Sequence, residues 1–323
     1  MSPIPQPPLP AFDVRLAAPD IGRWLAGNTG IPGFTTRDSG MAGSHVALLA
    51  IAHGNEIAGA IVLDRLLSAG VVPARGRLSF GFVNLAAYER FDPRQPTASR
   101  FVDEDINRVW EPAMLDSARR STELDRARDI RPLIDTVDVL FDLHSMLWPS
   151  DPLILCGTSA KGKRLALGAG VPGLVVADHG HVSGRRIIDY PRFADATTDC
   201  AGSLVEAGQH WDEATVGTMF ASVAGLLRHV GMVAEHPALP PPVHAVQRFA
   251  EVTTAVTAVS SNFAFVQPYR GGDVIARRNT LIALDGETEI RTPHDECLLI
   301  MPSLRPSRGH TAVRLARFVA AEM

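Results

Sequence analysis

His45-Val-Ala-Leu-Leu-Ala-Ile-Ala52 is a nearly all-apolar run that leads straight into His53-Gly-Asn-Glu56. Runs of this kind, without polar alternation, read as strands covered on both faces of a parallel sheet. From Ile57 to Ala69 the apolar residues Ile57, Ile61, Leu63, Leu66 and Leu67 fall at helical spacing, and Gly70 is a natural stop. Strand, tight glycine-containing turn and helix together open a βαβ unit. The texture recurs downstream. Residues 78–83, 139–143, 153–156, 174–177 and 202–205 read as strands. Residues 121–137 (capped by Ser121 or Thr122), 159–169 and 212–230 read as helices. Such alternation predicts an α/β sheet with helices on both faces.

The chain has 323 residues, enough for one large domain or two smaller ones at roughly 150 each. A hydrophobic fraction of 46% and a charged fraction of 20% are ordinary for a globular protein. A net charge of −4 leaves no basic field for nucleic acid or an anionic membrane. No apolar run approaches the ~18 residues of a membrane span. The opening MSPIPQPPLPAF is proline-rich and lacks the basic and apolar regions of a signal peptide, so a cytoplasmic protein is expected. Cys156, Cys200 and Cys297 are far apart and form neither a disulfide framework nor a thiolate metal site. After residue 235 the texture changes. His236-Pro-Ala-Leu-Pro-Pro-Pro-Val243 is a proline-rich joint, and short β-type segments follow at 245–258, 262–266, 272–276, 280–284 and 297–301. The expected division is an α/β domain over 1–235 and a small all-β domain, a barrel or sandwich, over 236–323.

Functional residues of α/β sheets lie beyond the C-terminal ends of strands. Four polar clusters fall there: His53-Gly-Asn-Glu56, Arg100 to Arg108, Asp142-Leu-His144 and Glu206. A hydrolytic zinc site needs about three His or acidic ligands and one open position. His53 and Glu56 are three residues apart and can face one point, His144 ends another strand, and Asp142 could orient a ligand imidazole. Each has a plainer reading. A strand-end histidine is commonly a hydrogen-bonded loop residue, and Glu56 could simply favour a helix N-terminus. The pattern alone leaves both open.

Taken together, His53-Gly-Asn-Glu56, Asp105-Ile-Asn107-Arg108, Asp142-Leu-His144 and Val205-Glu206-Ala-Gly208 occur in the order seen in the succinylglutamate desuccinylase/aspartoacylase family. The chain resembles that branch of the zinc carboxypeptidase superfamily from about residue 45 to 210. The resemblance implies a zinc-carboxypeptidase-like mixed sheet flanked by helices, with a smaller C-terminal all-β domain capping the active site. It implies one zinc per chain held by His53, Glu56 and His144. Glu206 resembles the general base, Arg100 the arginine that stabilises the oxyanion, and Asn107 with Arg108 the pair that binds a substrate carboxylate. The expected activity is zinc-dependent deacylation of an N-acyl amino acid or related small N-acyl amine. Oligomeric state stays open, a homo-oligomer included.

The chain also departs from the pattern. Aspartoacylase-like members carry a further arginine between the third ligand and the catalytic glutamate, gripping a second carboxylate. Here the stretch Ala196-Thr-Thr-Asp-Cys-Ala-Gly-Ser-Leu-Val before Glu206 has none, and no motif chooses among Arg185, Arg186 and Arg192. Asp178-His179-Gly180-His181 reads as a substrate-facing loop in preference to a second metal site. His210 and Trp211 could shape the pocket or pack. Gly271-Gly272-Asp273 has the texture of a lipoyl-type barrel, but a carrier needs a hairpin lysine, and Lys161 and Lys163 lie in the other domain. Two rivals remain. One is a metallocarboxypeptidase using the same groups on a peptide, and the other a non-catalytic small-molecule-binding member of the family.

Overall fold

The computed structural model describes residues 10–233, 235–243 and 245–320; most of the proline-rich opening lies outside them. The first part of the chain runs β1 (Phe34–Asp38), β2 (His45–Ala50), α1 (Ile57–Ser68), β3 (Arg77–Phe82), α2 (Leu85–Tyr88), α3 (Pro112–Leu115) and α4 (Thr122–Ile134). It continues through β4 (Val139–Met146), β5 (Leu153–Leu155), α5 (Ala160–Gly168), β6 (Leu174–Ala177), α6 (Pro191–Ala194), β7 (Ala201–Gln209) and α7 (Glu213–His229). Seven strands follow: β8 (Arg248–Thr257), β9 (Phe263–Phe265), β10 (Val274–Ile275), β11 (Leu281–Asp285), β12 (Thr288–Arg291), β13 (Cys297–Ile300) and β14 (Thr311–Val319).

Eleven strands form one sheet in the order β1-β3-β2-β4-β7-β5-β6-β8-β14-β13-β10. β3, β2, β4 and β7 are mutually parallel. β2 shows why its sequence lacks alternation. Val46, Leu48 and Ala50 face one buried cluster while Ala47 and Leu49 face another, so both faces are dry. α1 and α7 contribute Leu63, Leu66, Met219 and Val223 to the first cluster, and α4 contributes Leu124, Ala127 and Ile130 to the second. Ser121 caps α4 by accepting from Leu124 N–H at 3.0 Å.

The strands beyond residue 235 do not close into a barrel of their own. β8 pairs in parallel with β6, and β14, β13 and β10 extend the same sheet. Only β12, β11 and β9 form a separate three-stranded sheet. The physical reason is the free edge of β6, whose backbone groups β8 satisfies. Gly271 completes the joint: a side chain there would lie 2.0 Å from Ser150 Oγ, while its backbone bonds Pro149 and Asp151. β1, β12 and β14 were not expected from the sequence.

Candidate active site

Consecutive strands β2 and β3 lie side by side, and β4 then adds on the other side of β2, so the chain reverses direction at β2. A crevice opens beyond the strand ends at such a switch. β2 ends at Ala50, and Ile51 takes φ of 54°, a left-handed conformation that a β-branched residue adopts only under packing constraint. The chain then turns through His53-Gly-Asn-Glu56 into α1. Gly54 is obligatory here, since a Cβ would lie 2.3 Å from the Ala87 carbonyl carbon. This close approach packs the turn against α2.

His53, Glu56 and His144 meet at one point. Their donor atoms all lie within 4.8 Å of one another, and all three residues are buried. Nδ1 of His53 is 2.7 Å from one oxygen of Glu56, and Nδ1 of His144 is 2.9 Å from the other. Behind the rings, Nε2 of His53 meets Asp105 at 2.9 Å and Nε2 of His144 meets Asp142 at 2.7 Å. Two imidazole nitrogens and a carboxylate converging in this way, each ring oriented by a carboxylate behind it, form a donor set that fits a zinc-type cation. Among the described residues it is the one cluster of metal-ligand type. Burial opposes charge on His144, yet Asp142 and Glu56 outweigh it and hold its pKa well above the ordinary value.

Glu206 stands opposite His144 in the β4–β7 register. Three residues of β7 then match two of β4 between that pair and Met146–Gln209. The bulge runs through Gly208, whose φ of 139° and 2.7 Å Cβ approach to Thr215 Oγ1 demand glycine. Oε2 of Glu206 is buried without a hydrogen-bond partner. Burial, reinforced by the nearby Glu56, pushes its carboxyl up to about 8.

The four groups face a cavity of about 670 Å³ that also holds Arg100, Asn107 and Arg108. Arg100 donates to Asp105 at 3.2 Å and approaches Glu56 at 3.4 Å, with its side chain still 38% exposed. Asn107 donates to Asp142 at 3.2 Å and accepts from Ile187 N–H at 2.8 Å, which braces the His144 side of the site. Its carbonyl accepts from Arg108 at 2.6 Å. All seven residues singled out in the sequence are therefore together. Asp105, read there only as part of a motif, carries His53. Glu123 on α4 received no role, yet its fully buried carboxylate accepts the N–H groups of Val102, Asp103 and Glu104, fastening the loop between Arg100 and Arg108.

The three substitute arginines separate cleanly. Arg192 bonds the Val137 carbonyl and Asp138, before the start of β4. Arg185 is exposed and paired with Glu111. Arg186 is buried at the cavity but engaged by Asp178 and Asp189. The loop from Asp178 faces the cavity through His181 and Ser183, while His179 is exposed. His210 also lines the cavity, bonded to Ser145 Oγ at 2.8 Å, whereas Trp211 packs fully buried.

Residues 42–155 match the model of the succinylglutamate desuccinylase/aspartoacylase catalytic domain. This stretch of the chain is similar to that catalytic domain. Succinylglutamate desuccinylase of Vibrio cholerae superposes with a TM-score of 0.67 at 15% identity, covering 89% of this chain and 86% of that one. A succinylglutamate desuccinylase/aspartoacylase of Rhodobacter sphaeroides gives 0.64 at 18% identity, over 89% of each chain. The product-bound ectoine utilization protein of Ruegeria pomeroyi gives 0.59 at 17%, over 88% of each. At these identities the likeness establishes the desuccinylase fold. No curated protein matches the chain in sequence.

Proposed function

We propose that this chain is a cytoplasmic, zinc-dependent hydrolase that cleaves the amide bond of an N-acyl amino acid or related small N-acyl amine. The observation that carries the reading is the convergence of His53, Glu56 and His144 on one point of a cavity that also holds Glu206 and Arg100. Those three side chains would hold the ion. A bound zinc would polarise a scissile carbonyl and lower the pKa of an attacking water toward ~7.

The chain's own groups do the rest. Asp105 and Asp142 hold the two imidazoles in register. Glu206 takes the proton of the attacking water at Oε2, which has no competing hydrogen bond, and returns it to the departing amine nitrogen. Arg100 presents its guanidinium to the developing oxyanion, a contact whose removal costs about 3 kcal/mol. Arg108, held by the Asn107 carbonyl, offers a fork for the substrate carboxylate.

A metallocarboxypeptidase would use the same groups. The segment after β13 favours the smaller substrate, because Met301, Pro302, Arg305 and Pro306 form part of the cavity wall. We take residues 236–323 to act as a cap that leaves no run-out for a long peptide. A non-catalytic binder would not need the complete set of ligands, base and ring-orienting carboxylates. The test is a screen of N-acyl amino acids against C-terminal dipeptides with zinc-loaded protein. Turnover of the acyl amino acids is expected, and turnover of the peptides alone would overturn the reading. Metal analysis should find about one zinc per chain and none in the His53→Ala/His144→Ala double variant.

A further inference from the structure

The cavity also has an apolar side. β4 ends at Met146, and the chain runs on through Leu147 and Trp148, which are half-buried and line the cavity. Phe101, 37% exposed, and the half-buried Met301 line it as well. Large apolar side chains left partly bare inside a concavity mark a surface that a ligand covers.

Trp148 is fixed from two sides. Its ring meets Phe12 edge-on with centroids 5.8 Å apart, and Phe12 meets Trp211 in the same way at 5.5 Å. The opening segment is tied down there, since Arg15 N–H donates to the Trp211 carbonyl at 3.2 Å. Just past the ring, Gly271 N–H donates to the Pro149 carbonyl at 3.1 Å, and the Gly271 carbonyl accepts from Asp151 N–H at 2.8 Å. An aromatic side chain held in this way offers apolar area at little cost in freedom when a ligand covers it.

Trp148 and Arg108 belong to different faces of the sheet. Trp211 lies just before α7, and its Nε1 donates to the carbonyl of Asn55, just before α1, at 3.1 Å. These two helices cover one face. Arg108 lies toward the other, because Val109 and Trp110, next in the chain, are buried with Leu124 and Ile130 of α4. His144 is part of β4, in the sheet between them.

We propose that Trp148, steadied by Phe12, is a specificity-determining residue that makes the preferred substrate an N-acyl amino acid with an apolar acyl group. The inference rests on the deacylase reading. With the substrate carboxylate on Arg108, the acyl side of the scissile amide extends across the strand ends toward Trp148. Met301, Pro302 and Pro306 in the cavity wall limit that group to a medium chain or a single ring.

The experiment compares zinc-loaded wild type and Trp148→Ala on N-acetylalanine, N-hexanoylalanine and N-acetylphenylalanine. Wild type should favour N-hexanoylalanine over N-acetylalanine at least about tenfold in kcat/KM, chiefly through KM, because apolar burial binds ground and transition states alike. In Trp148→Ala that ratio should fall at least about fivefold. No hexanoyl preference in wild type, or an undiminished one in Trp148→Ala, overturns the proposal. A preference for N-acetylphenylalanine alone places the apolar group on the amino acid and overturns it too. If Trp148→Ala fails to fold, Phe12→Ala releases the ring and should lower the same ratio, with Phe12→Leu restoring most of it; an unchanged ratio in Phe12→Ala counts against the proposal. Binding is read separately by calorimetry on zinc-loaded Glu206→Gln. N-hexanoylalanine should bind more tightly than N-acetylalanine and with a more negative heat-capacity change, and Glu206→Gln/Trp148→Ala should lose most of that difference. If Trp148-dependent hexanoyl binding is found but no N-acyl compound is ever hydrolysed, the deacylase reading fails while the apolar site stands. Hydrolysis of N-acetylalanine without any hexanoyl preference would leave the deacylase and remove the apolar site.

Discussion

Glu123 shows how much of the site depends on a residue outside the cavity wall. Three backbone N–H groups and the Asn84 amide point at its carboxylate, so the loop carrying Arg100, Asp105 and Arg108 hangs from one buried anion. Glu123→Gln turns half of that acceptor into a donor facing donors. A loss of about 1–3 kcal/mol in urea unfolding is expected, with KM rising as the loop loosens. Unchanged stability and KM would mean the loop is held some other way. Glu206→Gln is different in kind. It should keep its zinc equivalent and lower kcat by about 10²–10⁴, and an active, zinc-loaded variant would remove Glu206 as the base. The cysteines offer a test of burial alone. Burial pushes the Cys156 thiol up to about 12 and the Cys297 thiol up to about 11, whereas Cys200 is half-buried at the surface. A thiol reagent at neutral pH should therefore titrate one cysteine in the native protein and three after denaturation, because the thiolate is the reactive form.

Among the elements, the turn between β2 and α1 carries two of the three proposed ligands, and Gly54 sets its depth. Gly54→Ala would press a methyl group into the Ala87–Tyr88 peptide, backbone that cannot rotate away as a side chain could. Thermal stability and zinc content should fall together, since His53 and Glu56 ride on the displaced turn. A Gly54→Ala protein with normal melting and a full zinc equivalent would show that the turn has slack. The bulge in β7 works in the same way for Glu206, letting the strand leave its register with β4 directly after the proposed base.

For the whole molecule, the question is whether residues 1–235 can stand alone. Phe249 of β8 is buried in one core cluster, and Ala250, Leu298, Ile300 and Ala316 are buried in the other. A fragment ending at 235 would lose these side chains, with Phe249 alone contributing about 1.5–3 kcal/mol, and would bare the full edge of β6. We expect it to aggregate or lack a cooperative melting transition. A soluble, cooperatively folding, zinc-binding fragment would instead make the two parts separable domains.

Most of the catalytic half was legible locally. Two-sided burial wrote β2 as an unbroken apolar run, glycine stops and serine caps marked α1 and α4, and strand ends located His53, Glu56, His144 and Glu206. The sheet joining both halves was not legible. β14 carries Arg314 and Arg317 three residues apart among apolar residues, and nothing near Arg314 in the chain points to a cavity lined by His53 more than 250 positions earlier. The pairing of Arg314 with Asp178, which also grips Arg186, depends on where folding places β14 and the loop after β6. Charge balance inside a cavity is a sum over groups that only folding brings together, while strand burial and turn sterics act between near neighbours. For that reason most strands and helices could be read from the sequence by itself, and the tertiary structure alone decided that His53, Glu56, His144 and Arg314 line one cavity.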